Sequence, residues 1–425
     1  MSPKPIDFVI VGAGAAGLMA ARELARAGKI VAILEARERC GGRIDPLPAA
    51  EFGYPAEGGA EFVHGAAALT RGLMREAGLS FAPMAGTRWR AAEGTLAPDE
   101  GAAPYAAELR RALAALDTDI PVAEFLAKSF GDQRYAELRR SITRMVEGYD
   151  AADPARASTF ALREEWMGRG LGQQGRIAEG YGALTAFLLA ECRRHGAAIH
   201  LGAAVAAIEG DGRGIIARCR DGRRFAAGGA ILAVPLPLLH SIALPPVARA
   251  ALPAADEIGF GNVVKILLRF TTTWWASWGG RDLGDLSFLI SSARVPTWWT
   301  QHPAGPAVLT GWFAGPKADA VADLTADALV AMGLASLADI FATPIDRLRG
   351  MLVAARAINW GSDEFERGAY SYATPKTRAA QAKLRQPAEG VFFSGEALYA
   401  GPEMGTVEAA LASGAETARL ILAKR

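Results

Sequence analysis

Cysteine is scarce in this 425-residue chain: Cys40, Cys192 and Cys219 are the whole set. The number is odd and no two form a C-x-x-C pair, which argues against a disulfide framework or a zinc site and fits a reducing compartment. A charge excess is also missing, with 46 basic residues against 45 acidic. Balanced charge removes the electrostatic basis for binding nucleic acid or an anionic membrane. Long apolar runs free of breakers are absent too. Ala226 to Ala248 carries no charged residue and is long enough to span a bilayer, but Gly228 and Gly229 stand near its start and Pro235, Pro237, Pro245 and Pro246 interrupt it. It reads as a buried strand, Ala230 to Val234, followed by proline-rich turns. No charged leader or cleavage pattern precedes the first apolar run at Asp7. The expectation is a soluble cytoplasmic protein with no metal, nucleic-acid or membrane partner.

The length predicts two or three domains. Half the residues are apolar and a fifth charged, as in a globular protein. Residues 7 to 35 read as a β-α-β unit. Asp7 to Val11 is short, apolar and β-branched, like a strand buried on both faces. G-A-G-A-A-G follows, with Gly12, Gly14 and Gly17. A helix runs to about Ala27, with Leu18, Ala21, Leu24 and Ala25 at helical spacing, and Gly28 ends it. Ile30 to Leu34 is a second strand with Glu35 at its end. In such a unit Gly12 permits the tight turn, Gly14 lets backbone N–H groups approach a pyrophosphate, and Gly17 lets the helix pack on the strand. The helix start attracts the phosphates. Glu35, 18 positions after Gly17, is placed to accept from ribose hydroxyls. The unit alone leaves FAD and NAD both open.

The next residues, Arg39-Cys-Gly-Gly-Arg43, complete a stretch that resembles the N-terminal signature of the flavin-containing amine oxidases. Further stretches resemble the same family in order along nearly the whole chain: Gly59 to Gly65, Ala230 to Pro235, Gly259 to Phe270, Trp360 to Tyr370, Phe392 to Glu396 and Gly405 to Gly414. A second G-x-G-x-x-G is lacking, which argues against a flavin reductase fed by a nicotinamide nucleotide. The resemblance implies an α/β fold: a Rossmann-like FAD-binding domain of the GR2 type, with a discontinuous mixed-sheet α+β substrate domain. The FAD domain would take 1–75, 190–245 and 385–425, and the substrate domain 76–189 and 246–384. Residues 104 to 148 read as helices, and 261–270 and 286–313 as apolar strands.

The same resemblance implies noncovalent FAD, because Ala369 stands where monoamine oxidases carry the attaching cysteine. It places Gly12, Gly14, Ala15, Ala16, Gly17, Glu35, Ala36, Arg37, Gly41, Gly42 and Arg43 along the dinucleotide. Gly59, Ala60 and Glu61 would lie beside the flavin, and Val205 beside the adenine. Pro235, Trp360, Gly395 and Glu396 would complete the site, with Glu396 at the ribityl or diphosphate region. Gly405, Thr406 and Val407 would start a helix, to about Leu420, aimed at the flavin pyrimidine. Lys265 would hold a water at flavin N5 and assist reoxidation. Tyr370 would flank the amine, with Thr406 where monoamine oxidases have a second tyrosine. His64 matches an active-site histidine of some polyamine oxidases. Trp274, Trp275, Trp298 and Trp299 read as core or domain-interface packing. Amine substrate and O₂ are the implied partners, giving imine or aldehyde and hydrogen peroxide. A desaturase of a hydrophobic non-amine in the same fold, and a flavoprotein module without turnover, stay open. So do the identity of the amine and the oligomeric state.

Overall fold

The computed structural model describes residues 5–92, 94–99, 105–167, 174–210 and 214–423. Residue 104, where the helical stretch was expected to begin, lies outside them, as do both chain ends. Strand Ile6–Val11 sits centrally in a sheet, pairing in parallel with Val31–Leu34 on one side and with Arg224–Leu232 on the other. Ala198–His200 extends the sheet beyond Val31–Leu34. The long strand Arg224–Leu232 has two partners on its far side. Its first half pairs antiparallel with Ile215–Cys219, and its last residues pair in parallel with Val391–Phe393. Chain segments nearly 400 positions apart thus meet in one sheet, because each is apolar enough to be buried on both faces.

Helix Ala15–Arg26 follows the first strand and is flanked by Tyr181–Arg194 and the C-terminal helix Val407–Ala423. The approach of the two terminal helices needs Gly414, where a Cβ would lie 2.3 Å from the Ala16 carbonyl oxygen. The C-terminal helix starts two residues after Gly405, at Val407, and runs past Leu420 to Ala423.

A second sheet runs in the order Leu352–Asn359, Val263–Phe270, Val308–Ala314, Thr297–Trp299, Leu286–Ser291, Thr87–Ala92, Thr95–Pro98. Leu286–Ser291 and Thr87–Ala92 pair in parallel; the other neighbours are antiparallel. Val264, Ile266 and Leu268 enter a core with Trp298 and Leu337 of helix Ala326–Ile340. A helical lobe, Ala106–Ala114, Val122–Ser129, Ala136–Gly148 and Thr159–Met167, buries Leu109, Phe125, Ile142 and Leu162 against one another.

Two local expectations are corrected. The strand expected at 230–234 spans Arg224–Leu232, and the proline-rich stretch after it holds two single-turn helices, Leu236–Leu239 and Pro246–Arg249. Prolines in a first turn remove no helical hydrogen bond, so they start these turns instead of breaking them. No described helix is long and apolar enough to cross a membrane.

Candidate active site

At the carboxyl end of the central strand the glycine loop is shaped by close backbone approaches. Gly12 has φ +101°, and a Cβ there would sit 2.6 Å from the Ala233 carbonyl oxygen. At Gly17 it would sit 2.0 Å from the Gly12 oxygen. Gly14 is different: the nearest atom to its missing Cβ is the Gly41 oxygen at 3.9 Å, so that side is open. Buried Glu35 accepts from the N–H groups of Ala13 at 2.7 Å and Arg37 at 2.9 Å. Burial pushes its carboxyl up against the pull of those bonds. The Glu35 carbonyl accepts from Ala203, bringing Val205 alongside.

Two arginines bridge the loop to distant carboxylates. Arg37 meets Asp363 at 2.6 Å and Glu366 at 3.3 Å. Arg43 meets Glu396 at 2.8 Å and Glu366 at 3.5 Å, and donates to the Ala369 carbonyl at 2.8 Å. Burial raises Glu366 to about 7 even beside both guanidiniums. Glu396 also accepts from the N–H and hydroxyl of Ser371. Its contacts are thus with Arg43 and Ser371. Gly59 lets its loop lie on this arginine: a Cβ there would meet the Arg43 carbonyl oxygen at 1.9 Å. Trp360 packs over the same loop and donates to the Gly58 carbonyl at 3.2 Å.

Every residue assigned from the sequence, Gly17 excepted, lines one cavity of about 1550 Å³. Gly17 lies behind the loop, where it packs helix on strand. A drug-sized ligand needs roughly 300–1,000 Å³, so the cavity has room for a dinucleotide and a substrate. The missing Cβ positions of Gly14 and Gly395, both on the wall, face open space. These are the features FAD requires, and the residues present fit it.

The far end of the cavity holds Lys265, 1 % exposed. Its strand is second from the sheet edge, so Lys265 lies between Trp312 and Ile358 rather than on a solvated edge. Its ammonium donates to Glu61 at 2.8 Å and to the Gly59 carbonyl at 3.2 Å. Glu61 also receives Arg176 at 2.9 Å, Gln301 at 3.0 Å and the Trp299 indole at 3.1 Å. Burial works against this carboxylate, but Lys265 and Arg176 outweigh it and hold it at about 2. Trp299 was expected as packing; it lines the cavity and binds Glu61. Trp298 is core, with no exposed surface.

Behind this pair, off the cavity, Glu57 is 4 % exposed and its Oε2 has no partner. Burial raises it to about 7, with Lys265 pulling the other way. The unfolded carboxyl ionises near its ordinary 4.5, whereas the folded one keeps its proton to about 7. The folded state holds the extra proton in that window, so stability falls as pH rises through it. At about 1.4 kcal/mol per unit, the loss is on the order of 3–4 kcal/mol. Glu57→Gln should therefore lose less melting temperature between pH 5 and pH 8 than the native protein. Parallel melting profiles would refute this.

Tyr370 donates its hydroxyl to the Tyr149 carbonyl at 2.8 Å. The Tyr149 hydroxyl and the Gln174 amide each lie 3.3 Å from His64 Nδ1. Two such partners make Nδ1 the acceptor, and burial lowers the ring to about 4, so His64 is neutral at pH 7. Thr406 also lines the cavity, but its hydroxyl donates to the Glu403 carbonyl at 2.6 Å and accepts from Ala409 N–H at 3.2 Å. It caps the C-terminal helix, whose start opens on the cavity. Asp150 and Glu165 line the wall too. Burial raises both, Glu165 adding its repulsion at Asp150, and Glu165 reaches about 7. Neither has a hydrogen-bond or ion-pair partner among the described residues. Tyr149, Asp150, Arg176, Trp299 and Gln301 were not anticipated as site residues. Nothing in their local sequence marks them.

A Rossmann-like sheet whose nucleotide groove opens on a buried lysine and facing tyrosines defines a flavin-dependent oxidoreductase. The chain belongs to the flavin-containing amine oxidoreductase family, whose sequence profile matches residues 15–422, and FAD is its cofactor. It is 26 % identical to polyamine oxidase 2 of Arabidopsis thaliana, over 93 % of this chain and 84 % of that one. Polyamine oxidase 3 of Oryza sativa subsp. japonica is also 26 % identical, over 98 % and 90 %. Two solved structures share the fold. A putrescine oxidase bound to putrescine matches with TM-score 0.80 and 24 % identity over 99 % of this chain and 100 % of that one. Cyclohexylamine oxidase from Brevibacterium oxydans IH-35A matches with TM-score 0.80 and 22 % identity over 99 % of both.

Proposed function

We propose that the protein oxidises an amine at the carbon next to nitrogen, with O₂ as acceptor, and that its FAD is held noncovalently. The observation that supports this most is the buried Lys265 on the same cavity wall as Tyr370 and the C-terminal helix start. The chemistry FAD supplies is acceptance of hydride from that carbon and delivery of two electrons to O₂, leaving imine or aldehyde and hydrogen peroxide. Glu35 and the 12–17 loop bind the dinucleotide. Arg43 is fixed by Glu396 and Glu366 beside it. Tyr370 and Tyr149 present aromatic surface to the amine and exclude water. Neutral His64, its Nδ1 already accepting, offers an Nε2–H donor and does not repel a cationic substrate. The first N–H groups of the C-terminal helix stabilise negative charge at the cavity end. Peroxide released on addition of primary, secondary or polyamines tests this. Anaerobic bleaching by carotenoid- or porphyrinogen-like compounds, and by no amine, would favour the desaturase reading.

Asp150 and Glu165, carboxyls on the cavity wall with neither a hydrogen-bond nor an ion-pair partner among the described residues, favour a substrate with a second ammonium group, in line with the relatives named for polyamines. Asp150→Asn should raise KM for a diamine about 10- to 100-fold, the worth of one charged hydrogen bond. A monoamine of equal length should change much less. Equal changes for both would remove Asp150 from recognition.

A further inference from the structure

Glu61 is a carboxylate with all its acceptor positions used. Four donors converge on it: Lys265, Arg176, Trp299 and Gln301. A carboxylate offers about four lone-pair sites. Three of these donors come from the second sheet or its connections and one from strand Gly175–Ile177, so the arrangement is built by the tertiary fold. Lys265 has three N–H bonds. One goes to Glu61 and one to the Gly59 carbonyl. The third has no protein acceptor among the described residues, and Lys265 lines the cavity.

We propose that Glu61 is a positioning residue that keeps Lys265 an ammonium ion with one N–H free for the cavity, so that the reaction with O₂ proceeds at one rate across neutral and alkaline pH. The inference rests on the amine-oxidase reading and adds a second residue to it. The other groups facing Lys265 support the assignment. Glu57, from the turn before Gly59, feels Lys265 and is raised to about 7, so near neutrality it adds at most a partial negative charge. Arg176 carries positive charge on the far side of Glu61. Tyr54, near Glu57 and Glu61, is pushed up by burial and stays neutral. The Trp299 ring faces the ammonium at 5.5 Å, and the flanking strands contribute uncharged Trp312 and Ile358. Glu61 is therefore the one carboxylate in ion-pair contact with Lys265 among the described residues; Glu57, charged above about 7, makes no ion pair with it. Removing it leaves a desolvated lysine near a second cation, and both conditions favour loss of the proton.

Reduction of O₂ to hydrogen peroxide takes two electrons and two protons, both electrons and one proton coming from the reduced flavin and the other proton from solvent. A fixed ammonium stabilises negative charge on oxygen while it forms and keeps its own proton throughout. The lysine thus acts as a charge and not as an acid that must be reloaded.

The test compares native holoenzyme, Glu61→Gln, Glu61→Asp and Lys265→Met. Stopped-flow reoxidation of the amine-reduced enzyme is followed from pH 6 to pH 9.5. In parallel, ¹⁵N NMR of lysine side chains, with the Lys265 signal assigned by its absence from Lys265→Met, reads the Nζ protonation state directly. The native rate should be flat, with Lys265 Nζ at the ammonium position throughout. In Glu61→Gln the rate should fall at least about tenfold across the range, with Nζ titrating in step, because burial without a counter-charge favours the neutral amine. Glu61→Asp keeps the charge and should restore the flat profile. A native Nζ that titrates below pH 8, or a flat rate in Glu61→Gln, would overturn the assignment. If Glu61→Gln does not fold, a native Nζ that titrates below pH 8, or a sloping rate in Glu61→Asp, still overturns the assignment. Failure of amines to bleach the native flavin before air is admitted would instead remove the amine-oxidase reading.

Discussion

Lys265→Met should slow reoxidation of the reduced flavin by about 10²- to 10³-fold, the usual effect of removing one preorganised group that meets developing charge. Reduction by the amine should change far less, so turnover becomes limited by oxygen and the flavin accumulates in its reduced form. The expectation comes from the place of the side chain. Lys265 is buried in a strand paired on both sides, and its charge is met at 2.8 Å by Glu61. Methionine fills much of the same volume, so the sheet should hold. Glu61 would keep Arg176, Trp299 and Gln301 as partners, which limits the cost of leaving it buried. Rapid mixing of the reduced variant with oxygenated buffer measures the rate. An unchanged oxygen reaction would take Lys265 out of the mechanism.

The second large effect concerns the cofactor. Gly17→Ala should yield protein with little or no bound FAD and a melting temperature several degrees lower. An alanine Cβ would stand 2.0 Å from the Gly12 oxygen and 3.3 Å from Ile10 Cγ2. The first neighbour is backbone, so relief requires the glycine loop or the helix to move. Overpacking of this kind costs roughly 1–3 kcal/mol, or more where the backbone must shift. The displaced loop is the one that must lie against the pyrophosphate. Gly28→Ala is the control. Gly28 has φ +82° and open space where its Cβ would go. It should lose about 1 kcal/mol from backbone strain and keep its FAD. The flavin-to-protein absorbance ratio after purification, with FAD titration followed by fluorescence quenching, separates the two. Normal FAD content in Gly17→Ala would show that the loop tolerates the shift.

These two residues also mark what could be read in advance. The positive φ at Gly12 and the helix packing at Gly17 are local demands, although Gly12 is also pressed by the distant Ala233 carbonyl. A dozen residues of sequence therefore reveal them. Lys265 is the opposite case. Strand alternation places it on a face with Val263 and Leu267, but it does not say whether the strand is central or at an edge. That depends on Val308–Ala314 and Leu352–Asn359, which pair with it from far along the chain. Glu61 was legible as a residue of the flavin loop, yet its hold on Lys265 was not, since its other partners stand at 176, 299 and 301. Asp150 follows the same rule: it looks like an ordinary acid just past a helix until the fold brings it to the cavity wall, whereas Glu165 is one of several acids the sequence leaves open for a polyamine. Thr406 reads as a residue facing substrate, but its hydroxyl is engaged by Glu403 and Ala409, because a helix start needs a cap before it needs anything else.

One anaerobic titration goes to the centre of the account. Purified yellow holoenzyme is mixed with a diamine in the absence of oxygen, its flavin spectrum recorded, and air then admitted. The flavin band should bleach at one equivalent of amine, and air should restore it while releasing one equivalent of hydrogen peroxide. A band that stays oxidised with every primary, secondary and polyamine tried would contradict amine oxidation by this site.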